Sequence, residues 1–100
     1  MMLPLVLALA TIAPTPAPAQ ERVFQRASEL QPWCRQEAEA ELVGRGLTTY
    51  QWTGAYRDEG NTLVVEGKLR ADGRDYPVSC RIARGARERY ATIKISEPTP

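Results

Sequence analysis

From Val23 onward, apolar residues recur at Val23, Ala27, Leu30, Cys34, Ala38 and Leu42, in steps of three and four. That spacing predicts a helix with one buried stripe. Arg35 and Glu39 lie away from the stripe, Glu37 and Glu41 flank it, and Gly44 or Gly46 is the expected stop. Pro32 has no N–H to give the carbonyl of Ser28, which predicts a kink or a restart, with Ser28 and Gln31 placed as a capping box. Beyond Gly46 the period changes to two. Tyr50, Trp52, Gly54 and Tyr56 form the first alternating set, and Leu63, Val65, Gly67 and Leu69 the second. Tyr76, Val78, Cys80 and Ile82 form the third, and Ala91, Ile93 and Ile95 the fourth. The pattern therefore predicts four consecutive strands, each with one face toward a core.

Turn chemistry turns this list into a register. A two-residue Asp72-Gly73 turn sets Leu69 opposite Tyr76, Gly67 opposite Val78, Val65 opposite Cys80 and Leu63 opposite Ile82, so inward residues meet inward residues. On the other face it sets Arg70 opposite Asp75. A four-residue loop, Asp58-Glu59-Gly60-Asn61, would pair Tyr56 with Leu63, Gly54 with Val65, Trp52 with Gly67 and Tyr50 with Leu69, the indole covering the bare backbone of Gly67.

A single helix stripe and a single apolar sheet face bury each other, so the expected class is α+β: an N-terminal helix on one face of a four-stranded antiparallel meander. Cys34 on the stripe and Cys80 on the inward face of the third strand are the chain's two cysteines, and a disulfide between them would tie helix to sheet. Closing a loop of that length is worth roughly 4 kcal/mol by chain entropy.

The stretch before the helix is of a different kind. Residues 1–19 carry no charge, with an apolar run from Leu3 to Ala13 and then alternating prolines. Small residues at Ala17 and Ala19 predict a signal peptide cut between Ala19 and Gln20, leaving a single domain over 20–97 and a tail over 98–100. The run is too short to span a bilayer, so the mature form is expected to have no transmembrane segment and to be periplasmic or secreted. No Lys or Arg precedes the run, which leaves a truncated start or an inefficient signal as readings. Without the first 19 residues, the hydrophobic share falls from 43% to about 37%. A core that small benefits from a covalent staple.

Composition narrows the chemistry. The chain has no histidine, and with two cysteines it cannot close a zinc site of soft ligands, so no metal, cofactor or catalytic residue is expected. Asp58 with Glu59, and Glu37 with Glu41, are the carboxylate pairs; a hairpin tip and a helix face read as solvated surface rather than as acid–base dyads. The net charge of +1 excludes a dedicated nucleic-acid binder but hides an asymmetry, since Glu21 to Val43 carries a net −2 and the sheet region +3.

Two surfaces remain as candidates for binding. Arg81, Arg84, Arg87 and Arg89, interrupted by Glu88, make the last strand connection basic, either as a site for an anionic surface or as a solvated loop. The outer sheet face, including Gln51, Thr53, Lys68, Arg70, Thr92 and Lys94, has no helix left to cover it. Its edges, Leu47 to Arg57 and Tyr90 to Ser96, offer strand addition, although Lys94 and the Pro98-Thr99-Pro100 tail guard the second. The pair of strands Leu63 to Arg70 and Arg74 to Ile82, with Tyr76-Pro77-Val78-Ser79-Cys80 after the turn, resembles the hairpin of PepSY-type modules, export-associated domains linked to peptidase regulation. A helix before a four-stranded meander is similar to cystatin-like folds, but the cystatin Q-x-V-x-G loop is missing, so protease inhibition is not implied. The expectation is a small exported, non-enzymatic module that engages another exported protein through its open sheet face or a strand edge. The alternative is an envelope protein that binds anions through Arg81 to Arg89.

Overall fold

A computed structural model describes residues 21–98. The signal-peptide and cleavage-site readings, and Thr99 and Pro100 of the tail, lie outside the described residues. The order is α1 (Ala27–Gly44), β1 (Thr49–Glu59), β2 (Thr62–Ala71), β3 (Arg74–Ala83), a short 3-10 turn (Glu88–Tyr90) and β4 (Thr92–Ile95). The strands form one antiparallel sheet in chain order, and α1 lies on one face. Ala27, Leu30, Cys34, Ala38 and Leu42 are buried against Leu63, Val65, Leu69, Tyr76, Val78, Cys80 and Ile82. This is the α+β arrangement the periodicities predict. Cys34 and Cys80 are joined across the core, their Cα atoms 5.9 Å apart. Among the described residues, no helix is long and apolar enough to cross a membrane.

The helix differs from expectation at its start. Val23 is not on the stripe: it forms an isolated bridge to Arg87 and is 40% exposed. In extended backbone neighbouring side chains point to opposite sides, so Phe24 goes inward instead, fully buried and edge-on to Trp33 with ring centroids 6.4 Å apart. Pro32 neither breaks nor restarts α1, which runs uninterrupted from Ala27. It sits in the second turn with an exposed ring, and Ser28, whose carbonyl loses its partner, is also exposed to water. Nor is Ser28 with Gln31 a capping box, since the N-cap residue is Arg26, without a side-chain cap. At the far end the Gly46 N–H donates to the Val43 carbonyl and the Leu47 N–H to that of Leu42, with Gly46 at φ +87°. That is a Schellman stop, and the left-handed backbone is why glycine stands there.

The Asp72-Gly73 turn, both residues at positive φ, produces the predicted β2–β3 register residue for residue. The β1–β2 register is shifted by two. Gly60 at φ +59° and Asn61 make a two-residue turn, so Tyr56 faces Val65, Gly54 faces Gly67 and Trp52 faces Leu69. A shift of two keeps every side chain on its predicted face, so the hydrophobic pattern cannot detect it. The indole of Trp52 still covers Gly67, now diagonally, and Gly54 beside it: a Cβ on Gly67 would lie 2.5 Å from the ring and one on Gly54 2.7 Å. An irregularity between Thr49 and Gln51 turns Tyr50 out of its predicted inward position; it is 58% exposed and accepts a 2.8 Å hydrogen bond from Arg70 Nε.

Candidate functional site

The register assembles the outer sheet face in rows. Arg57, Val64, Arg81 and Thr92 form one; Ala55, Glu66, Ser79 and Lys94 the next; Thr53, Lys68 and Pro77 the third; Gln51, Arg70 and Asp75 the last. Gln51, Thr53, Lys68, Arg70, Thr92 and Lys94 are thus all brought to one face, which no described element covers, and all are exposed. Gly54 and Gly67 lie side by side, their Cβ positions directed to the helix side, where the Trp52 indole sits. A shallow trough of about 400 Å³ is lined by Thr53, Ala55, Glu66 and Lys68 around the two glycines. A second hollow of about 230 Å³ continues it past Gly67 and Glu66 to Pro77, Ser79 and Ser96.

Charge on this face is uneven. Arg57 donates to Glu59 at 2.6 Å and to Glu66 at 3.2 Å, and these bonds raise its pKa. Reciprocally, the Arg57 guanidinium, helped by Arg81, holds the Glu66 carboxyl below its usual range. Arg70 is held by Tyr50 and lies 3.9 Å from Asp75. Lys68, Arg81 and Lys94 have no carboxylate within ion-pair distance among the described residues. Val64 is fully buried on this outer side yet outside the main core; its cross-strand neighbours are Arg57 and Arg81, long side chains whose apolar stems can cover such a position. Alternation alone marks Val64 as an outward residue and gives no sign of that cover.

The basic connection after β3 is built into the fold. Arg84 donates to the carbonyls of Gln25 (2.8 Å) and Gly60 (3.2 Å) and lies 3.4 Å from Asp58. Arg89 grips Glu21 with contacts down to 2.6 Å, lowering the Glu21 pKa. The N-terminal arm is stitched to the same segment by Gly85 N–H to Phe24 carbonyl and Glu88 N–H to Arg22 carbonyl bonds. Arg81 points from the sheet face, and Arg87 sits at the bridge to Val23. The four arginines therefore serve largely separate tasks, although the charge of Arg87 adds to that of Arg89 on the Glu21 carboxylate.

Of the carboxylate pairs, Asp58 and Glu59 are directed apart, while Glu37 and Glu41 line one small hollow beside Arg45 and Ile93. Asp58 turns to the helix, Glu59 to Arg57, and Glu41 to Arg45. A cleft of about 570 Å³ between α1 and β1 is lined by Ser28, Gln31, Pro32, Arg35, Glu39 and Trp52. Beside it Gln31 Oε1 and Trp52 Nε1 are buried without a hydrogen-bond partner among the described residues. Sequence reading missed this cleft, because Gln31 and Trp52 meet only once the helix is laid on the sheet. Compared with protein-family models, curated proteins and solved structures, the chain matches none, so its function is read from its own surfaces.

Proposed function

We infer that the protein is a small exported, non-enzymatic binding module that holds an acidic, extended segment of another exported protein across its outer sheet face. The observation that carries the reading is the trough lined by Thr53, Ala55, Glu66 and Lys68, on a face with no covering layer and with Lys68, Arg81 and Lys94 free of ion pairs among the described residues. Desolvated, complementary charge favours encounter and register over raw affinity, so binding should be modest and salt-sensitive. Export is supported by the signal-like pattern of residues 1–19 and by the Cys34–Cys80 disulfide, a bond that persists in oxidising compartments. The alternative, anion capture by the Arg81 to Arg89 segment, is less well supported because Arg84 and Arg89 are engaged inside the chain. The test is titration with an extended Asp/Glu-rich peptide at two salt concentrations. Lys68→Glu with Lys94→Glu should weaken binding about tenfold or more, one such factor being worth ~1.4 kcal/mol. Unchanged affinity in that double variant, together with loss in Arg87→Ala, would favour the arginine segment instead.

A further inference from the structure

The two edges of the sheet are not equivalent. β4 is four residues long, carries Lys94, and is followed by Glu97 and Pro98. β1 is 11 residues long and, among the described residues, has no strand beyond it. Because the Gly60-Asn61 turn makes Glu59 and Thr62 a hydrogen-bonded pair, alternate residues of β1 direct their backbone groups toward β2, and Trp52, Gly54 and Tyr56 direct theirs outward. These outward N–H and C=O groups form a long template for another strand, with no lysine or proline on it.

The residues along that edge are self-complementary. Around Gly54 the chain reads Trp52-Thr53-Gly54-Ala55-Tyr56: an aromatic, a small residue, glycine, a small residue, an aromatic. We propose that β1 pairs antiparallel with β1 of a second copy about a two-fold axis at Gly54, joining two four-stranded sheets into one. In that register Gly54 faces Gly54, Trp52 faces Tyr56 of the second copy, Thr53 faces Ala55, and Gln51 faces Arg57. No like charges oppose each other, and the relation satisfies the self-complementarity that a two-fold interface requires.

Two further observations favour a second copy as the occupant. Tyr56 points to the helix side of the sheet but is 55% exposed, an aromatic left uncovered by the described residues of its own chain. The cleft lined by Gln31, Pro32, Arg35 and Trp52 lies on that same side, beside Trp52. The two-fold register sets Tyr56 of the second copy against Trp52 at the cleft, and places aromatic rings from both strands around the Gly54 pair, an arrangement that compensates for glycine in β-sheets. The outer face stays open and becomes continuous across both copies, so this inference is independent of what binds there.

Sedimentation of the disulfide-intact protein tests it. A concentration-dependent monomer–dimer equilibrium is expected, with the dissociation constant raised about tenfold or more by Tyr56→Lys, which puts a charge on the edge. Lys68→Glu with Lys94→Glu should leave the equilibrium unchanged. Amide exchange supplies a second readout: with rising concentration the Trp52, Gly54 and Tyr56 amides should gain protection, whereas those of Thr53 and Ala55 are protected throughout. A protein that remains monomeric up to ~1 mM, or a dimer that Tyr56→Lys does not weaken, overturns the proposal.

Discussion

The carboxylate of Asp58, on β1, accepts the backbone N–H of Ala27, the first residue of α1, at 3.0 Å and 31 positions away in the chain. The helix thus receives its N-terminal cap from the sheet. The same carboxylate faces Arg84, which also holds the Gln25 and Gly60 carbonyls, so one carboxylate and one guanidinium gather the helix entry, the first hairpin and the end of β3. Asp58→Ala should lower stability by about 1 kcal/mol, as loss of a cap generally does, and Asp58→Asn by less. Urea denaturation would measure both; equal losses would mean that the charge facing Arg84, rather than the cap, carries the effect.

Trp52 and Gly67 are matched in shape. Any Cβ at Gly67 meets the indole on one side and the Thr53 carbonyl, 2.9 Å away, on the other. Gly67→Ala should therefore cost about 1 to 3 kcal/mol, the usual range for an overpacked site. In the Trp52→Ala background the added cost should shrink, because the indole is no longer there to displace. A double-mutant cycle in thermal unfolding reads this coupling directly.

The Cys34–Cys80 bond closes a 46-residue separation between layers. Replacing both cysteines by alanine should lower stability by about 4 kcal/mol. That is a large part of what a domain this small possesses, so the double variant should be substantially unfolded at 37 °C by circular dichroism. A variant with an unchanged denaturation midpoint would show that helix–sheet packing suffices alone.

Acid should weaken the links made by Glu21 and Glu66. Both have pKa values lowered in the folded state, Glu21 by its bonds to Arg89 and Glu66 by its bond to Arg57. A depressed folded pKa means that the contribution is present above the ordinary carboxylate range and is lost as pH falls through the lowered value. Carboxyl titration by NMR should place both midpoints below the ordinary glutamate value. Arg57→Gln should raise that of Glu66 and leave that of Glu21 in place.

The amino-acid pattern by itself determined the one-helix, four-strand order, the inward faces of β2 and β3, the β2–β3 register and the cysteine pair. Each of these follows from local rules: periodicity for the faces, and an Asp-Gly turn whose positive-φ residues admit few alternatives. Tertiary structure decided what depends on summed small differences or on distant groups. The β1–β2 register moved by two because two turns were compatible with the same alternation, and the one built on Gly60-Asn61 leaves Asp58 inside the strand, where it reaches the helix. Phe24 displaced Val23 from the core because the arm before α1 is extended, held by bonds to residues 85–88 that no local window contains. The outer face was legible as a set of residues, but its trough, its unpaired cations and the separate tasks of the four arginines depend on which strands lie side by side. Local propensity specifies how a segment is shaped; only packing specifies what that segment faces.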